Sequence, residues 1–326
     1  MCIKVPNFQI PSHFQLIVRG FNIRKRFCLY DGCHLMQNFA DTPKRSKFFR
    51  PVLLVLPQYL ANSQYKNPAD IKNGAFQIAL NTPDHMFEYF QSHPGDGETF
   101  NNHMKGYSDS RARWIDPGCV PIDEVIGRGA HQDKESVLLV DIGGGFGHDL
   151  EVFEQKYPEL PGRLILQDLP AVIGSFKKSA TSEIEVMGYD FFTKQPIKGI
   201  YYLPFLFTLE QQLLDSDGFV CLGARAYYLH SILHDWDDDQ CREILNRQKE
   251  AMTKGYSKIL INENVIPDTG AHLEATGVDL ILMAMLSSGE RNEKQWRNLL
   301  SSAGLRVVNI WTYEIGTESL IEAELE

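Results

Sequence analysis

The sequence has no unbroken apolar run of the ~18 residues that a bilayer-spanning helix requires. Its best candidate, "VLLVLPQYL", is short and contains Pro57, so no membrane partner is expected. Positive charge is scarce as well: 32 Lys and Arg stand against 42 Asp and Glu, a net charge of −10. Neutralising phosphates needs a basic surface, so no nucleic-acid partner is expected either. The six cysteines form no CxxC and no paired framework. They read as reduced thiols in a cytoplasmic protein, with no metal centre implied. A third glycine is also missing. In "DIGGGFGHDL" a GxGxxG pattern starting at Gly143 needs glycine where His148 stands, and one starting at Gly145 meets Leu150. A nicotinamide-dependent oxidoreductase is therefore poorly supported.

The charge is unevenly spread. Residues 1–50 hold nine Lys and Arg against Asp31 and Asp41, a net +7 that leaves −17 for the remainder. Mitochondrial presequences are basic and acid-poor in this way. This segment, however, lacks clear amphipathic helical spacing and holds Cys28 and Cys33. From about residue 50 the pattern is helical, with Phe87, Phe90, Phe100 and Met104 on an apolar face. "DPGCVP" breaks it and "RGAHQDKE" is a polar linker. Beyond lies strand–helix alternation: "SVLLVD", "GRLILQD", "IEVMGYD", "RAYYLHSIL" and "SKILINE" are strands with helices between them, and "LRVVNIWTYE" and "SLIEAELE" close the chain. This rhythm predicts an α/β fold, a doubly wound, mostly parallel seven-stranded sheet covered on both faces. A smaller, mainly helical region over 1–130 precedes it, and the sheet domain spans 131–326.

Each of the five parallel strands ends in or near an ionisable side chain: Asp141, Asp168, Asp190, His234 and Glu263. Ligands of open parallel sheets bind outside the carboxyl ends of the strands, so five such groups mark one rim as a site. Gly143 and Gly145 allow a tight turn and close backbone approach to a ligand. Asp168 can accept hydrogen bonds from both hydroxyls of a ribose, and Asp190 with Phe191 can address an adenine.

Together, "LLVDIGGGFGHDL", "GRLILQDLPAVI", "YDFF", "YYLHSILHDWDDDQCREIL", "ILINENVIPD" and "GERNEKQWRNLLSSAGLRV" resemble the S-adenosylmethionine-dependent O-methyltransferases of the plant caffeate and fungal secondary-metabolism type. The resemblance runs over about residues 50–326, omitting 200–223. It implies a seven-stranded, Rossmann-like methyltransferase sheet, S-adenosylmethionine as cofactor and a small hydroxylated aromatic or polyketide-like acceptor. It places Asp141, Gly143, Gly145, Asp168, Asp190 and Phe191 at the cofactor and makes His234 the catalytic base, flanked by Glu263 and Glu290. His230 falls where the family usually has Lys or Arg near the cofactor. Met104 matches a methionine that packs on the acceptor ring, or is an ordinary core residue. Asp235 either touches the acceptor or caps the next helix. Met283, Met285 and Trp236 are expected to pack in the core.

Two departures accompany the resemblance. The family carries a longer N-terminal winged-helix domain that makes a homodimer and one wall of the acceptor pocket, and residues 1–50 do not resemble it. Residues 200–223 also interrupt the joint between "PIKG" and "ARAYYL". They read either as translated intron or as a lineage-specific insertion. Their strand-like "IYYLPFLF" competes for the slot of "RAYYLHSIL", and Pro204, lacking a ladder donor, argues that it loses. A catalytically impaired or non-catalytic relative is the alternative to an active enzyme.

Overall fold

The computed structural model describes residues 49–100, 112–174, 176, 182–202 and 219–326. The expectation for Met104 and those for residues 1–48 lie outside them. Three helices lead: α1 (Phe49–Asn62), α2 (Ala75–Leu80) and α3 (Met86–Ser92). Pro57 lies within α1 instead of ending it. A proline removes one intrahelical donor. The stripe of Phe49, Val52, Leu56 and Leu60, three to four residues apart and buried, sustains the helix across that gap. α3 begins in a capping box, His85 N–H donating to Glu88 at 2.9 Å.

Strand β1 (Val137–Ile142) is followed by helix α4 (His148–Lys156), then β2 (Arg163–Asp168), the short α5 (Pro170–Ile173) and β3 (Glu185–Gly188). Next come β4 (Lys198–Tyr202), β5 (Phe219–Gly223) and β6 (Ala226–His230), then α6 (Asp238–Lys249) and β7 (Lys258–Glu263). The rest comprises β8 (Val265–Ile266), α7 (Leu273–Leu286), β9 (Arg291–Asn292), α8 (Glu293–Ser302), β10 (Leu305–Thr312) and β11 (Ser319–Leu325).

Seven strands form one sheet in the order β10-β11-β7-β6-β1-β2-β3, parallel except where β11 runs antiparallel to β7 and β10. Every residue of β1 is buried, as expected of a strand covered on both faces. Alternate side chains feed opposite cores. Val140, Tyr227 and Ile259 meet Ile244, Leu245 and Trp296 on one side, while Leu139, Tyr228 and Leu260 meet Trp114, Leu150 and Phe153 on the other. A third cluster joins α1–α3 to α7 and contains Met283 and Met285. Both methionines are therefore core residues, as the sequence suggests.

The two similar strands have different fates. β4 pairs antiparallel with β5 in a separate two-stranded ribbon, while β6 takes the sheet position between β1 and β7. The ribbon returns at Gly223, whose N–H donates to Thr253 Oγ1 (2.7 Å) and whose missing Cβ would meet Ala251 O at 2.3 Å. Thr253 and Ala251 lie between α6 and the start of β7, at the amino edge of the sheet. The ribbon is therefore rooted a strand length from the carboxyl rim, and it leaves β6 in place.

Candidate active site

The strand order reverses between β1 and β6, the switch point where open α/β sheets hold ligands. The chain bends sharply there. Gly143, Gly145 and Gly147 all have positive φ (69°, 58° and 71°), a region other residues enter at a cost. Gly143 and Gly144 N–H donate to Gln167 O (2.7 and 3.2 Å), and Gly145 N–H donates to Asp168 Oδ2 (2.8 Å). Asp168 Oδ1 accepts from Leu169 N–H (2.6 Å). Burial pushes the Asp168 carboxyl up, and these two N–H donors oppose it.

Space around the turn is uneven. A Cβ on Gly144 would stand 2.4 Å from Asp141 Oδ2 and 2.6 Å from Leu166 Cδ1, whereas one on Gly145 would meet nothing within 4 Å. Gly144→Ala should therefore distort the turn and lower the thermal midpoint markedly. Gly145→Ala should cost only the left-handed backbone, about 1–2 kcal/mol. Thermal scans of both variants check this, and equal losses would contradict the difference in packing.

Asp141 is buried beneath the turn and its Oδ1 finds no hydrogen-bond partner among the described residues. Burial, then Asp149, holds its carboxyl well above the usual range. Its Oδ2 lies against Gly144, 2.4 Å from where a Cβ would stand. Asp190 is exposed, with Oδ1 accepting from Phe192 N–H (3.0 Å). Phe191 lies across from Gly143, 3.7 Å from where a Cβ would be, beside Ile232. His230 departs from expectation. Its Nδ1 lies 2.6 Å from Asp149 Oδ2 and its Nε2 lies 2.9 Å from Glu318 Oε2. Both ring nitrogens are thus engaged inside the protein, which leaves none to donate to a ligand.

After β6, Ser231 adopts a left-handed conformation (φ 53°), and a single 3-10 turn carries Leu233, His234 and Asp235. Glu263, the last residue of β7, fixes this turn: its Oε1 accepts from the N–H groups of Ile232, Leu233 and His234 (3.0, 2.8 and 3.3 Å). His234 Nδ1 lies 3.1 Å from Glu263 Oε2 and 3.2 Å from Glu290 Oε1, while Nε2 lies 3.5 Å from Asp235 Oδ1. Burial disfavours the imidazolium, but Glu263, Glu290 and Asp235 outweigh it and carry His234 up to about 10. Burial also raises Asp235 to about 7, with His234 opposing. Asp235 is not the cap of α6: Asp237 is, accepting from Gln240 N–H at 2.8 Å. Trp236 packs as expected, stacking on His85 at 4.8 Å.

Sequence reasoning missed Arg291, Asp149 and Asn264. Arg291 donates to Leu233 O (2.8 Å) and Trp236 O (2.9 Å) and is buried between the turn and α8. Asn264 donates to Glu290 Oε1 (2.8 Å). The signals were an arginine directly after Glu290 in "GERN" and an acid in the first turn of a helix, where acids are favoured.

Fold and rim together define a doubly wound, Rossmann-like α/β protein with a glycine turn and a buried histidine–carboxylate cluster at its switch point. The family model of the O-methyltransferase domain matches residues 216–306. The O-methyltransferase mfmE of Annulohypoxylon moriforme is 40% identical over 276 residues, 85% of this chain and 61% of that protein. The O-methyltransferase mpaG of Penicillium brevicompactum is 35% identical over 277 residues, 85% and 64% of the two chains. The solved structure of LepI in complex with SAM superposes with a TM-score of 0.71 at 31% identity, covering 90% of this chain and 67% of that one. The chain belongs to the S-adenosylmethionine-dependent O-methyltransferase family. It spans about three fifths of the length of the curated relatives it matches.

Proposed function

We propose that this chain is an S-adenosylmethionine-dependent O-methyltransferase that methylates a hydroxyl of a small aromatic or polyketide-like molecule, with His234 as general base. The observation that carries the reading is the pairing of both buried acids with one nitrogen of His234. Glu263 and Glu290 hold Nδ1, so Nε2 is the nitrogen left to take a proton from an acceptor.

The rim residues fit the cofactor. Gly143, Gly144 and Gly145 put three successive residues without side chains in the turn, and a Cβ on Gly145 would meet nothing within 4 Å. Asp168 ends β2 beside that turn with a carboxylate suited to ribose hydroxyls. Asp190 and Phe191 stand at the end of β3 for the adenine. When bound, S-adenosylmethionine supplies an electrophilic methyl group on a sulfonium. The chain's own task is to make the acceptor oxygen a nucleophile. A positioned imidazole that removes its proton contributes ~10²–10⁴-fold. Glu263 and Glu290 then stabilise the imidazolium, and Glu263 also fixes the turn that aims it. Asp235, no longer a helix cap, is left beside Nε2 to orient the incoming hydroxyl.

The division of the chain near residue 130 belongs to the same reading. α1–α3 share one apolar cluster with α7 of the later region, and Trp114, Ile115 and Val125 pack in the sheet core, so this boundary rests on the resemblance. Homodimerisation rests on the resemblance alone. Among the described residues no helix is long and apolar enough to cross a membrane.

Incubation with S-adenosylmethionine and a panel of hydroxylated aromatics, read by mass spectrometry, tests the activity. An O-methyl ether formed together with S-adenosylhomocysteine supports it. Cofactor binding without methylation of any acceptor would favour the non-catalytic alternative.

A further inference from the structure

His230 bridges two carboxylates from distant parts of the fold. Asp149, bonded to Nδ1, is the second residue of α4 and follows directly on the glycine turn. Glu318, bonded to Nε2, immediately precedes β11 and also accepts from Asn262 Nδ2 (3.1 Å) in β7. Asp149 Oδ2 accepts in addition from Tyr228 O–H (2.8 Å). An ionised carboxylate accepts and does not donate, so a ring bonded to both carries two protons and a positive charge.

The surroundings make that charge matter. The side chains of His230, Asp149 and Glu318 are 18%, 13% and 10% exposed, and breaking a desolvated pair leaves its partner uncompensated. Asp141 of β1 and Glu263 of β7 also lie in the field of His230, while Arg113, ahead of β1, acts on Asp149. Tyr228 and Tyr313 lie in the fields of Asp149 and Glu318. Acids outnumber cations here, and one of them, Asp141, lies against Gly144 of the glycine turn.

We propose that His230 is a positioning residue whose imidazolium latches the glycine turn to the start of β11, and that cofactor affinity depends on this charge. The inference rests on the cofactor reading above. A lysine would hold the charge throughout the working pH range. Burial opposes the charge on His230, but Glu318 and Asp149 raise its pKa well above the ordinary value. The latch is therefore intact at acidic and neutral pH and opens as the solution becomes alkaline.

The test is calorimetric binding of S-adenosylhomocysteine from acidic to alkaline pH, with thermal scans, for the wild-type chain, His230→Gln, His230→Lys and Glu318→Gln. Wild-type affinity should hold through neutral pH and fall on the alkaline side. His230→Gln should bind more weakly at every pH, by about 5–150-fold as for typical coupling, with turnover at saturating cofactor largely kept. His230→Lys should restore affinity and remove the alkaline fall, and Glu318→Gln should move that fall to lower pH. A folded His230→Gln that binds like wild type overturns the latch, as does an alkaline fall that persists in His230→Lys. Should His230→Gln not fold, an unshifted fall in Glu318→Gln overturns it equally. A wild-type chain that binds nothing at any pH contradicts the cofactor reading itself and the latch with it.

Discussion

His234→Gln is expected to lower the rate of methyl transfer by roughly 10²–10⁴-fold while leaving affinity for S-adenosylhomocysteine nearly unchanged. The reason for the split is placement. His234 lies in the 3-10 turn beyond β6, with Nδ1 on Glu263 and Glu290. The residues proposed to hold the cofactor stand at the ends of β1, β2 and β3. Glutamine can still donate toward the acids, and Glu263 keeps its three backbone N–H donors, so the turn should survive. It cannot accept a proton in the way imidazole does. Single-turnover rates and calorimetric affinities, measured on the same preparation, check the split. Retained turnover would refute the base assignment, and a parallel loss of affinity would show His234 to be a cofactor residue instead.

The second large effect concerns pH. His234 is carried up to about 10 by its three acids, so near neutral pH most of its population is imidazolium and cannot accept a proton. At about pH 8 roughly one site in a hundred holds the free base, and the rate should climb about tenfold per pH unit below the imidazolium pKa. Glu290→Gln removes one of the raising charges and should bring the rise to lower pH, which a rate–pH profile will register. Stability runs the other way. A histidine whose folded pKa is raised contributes stability that is complete below its ordinary value near 6.5 and lost as pH rises through about 10. Denaturant unfolding across that window should therefore weaken while activity grows. A rate that is flat from neutral to alkaline pH would contradict the charge state described for the cluster.

Much of this was legible in the sequence, and for physical reasons. Buried parallel strands read as short apolar runs, so β1, β2, β6 and β7 were visible, and their ionisable ends fell on one rim. Pro204 argued that "IYYLPFLF" would lose the central slot, and β4 indeed lies outside the main sheet. Less legible was anything set by contact across the fold. The family resemblance put His230 near the cofactor but could not see that Asp149, 81 residues away, and Glu318, 88 residues away, occupy both of its nitrogens. Nor could it exclude a capping role for Asp235, because that turned on Asp237 taking the cap. Pro57 looked like a breaker until the buried stripe of α1 outweighed the lost hydrogen bond. Arg291 joins Leu233 to Trp236 across more than fifty residues, a relation that no local pattern carries.

Calorimetric titration of the purified chain with S-adenosylhomocysteine tests directly whether the glycine rim is a cofactor site. Saturable binding at one site per chain, lost in Asp168→Ala, is the result expected. No heat of binding at millimolar S-adenosylhomocysteine, or binding that Asp168→Ala leaves untouched, would contradict it.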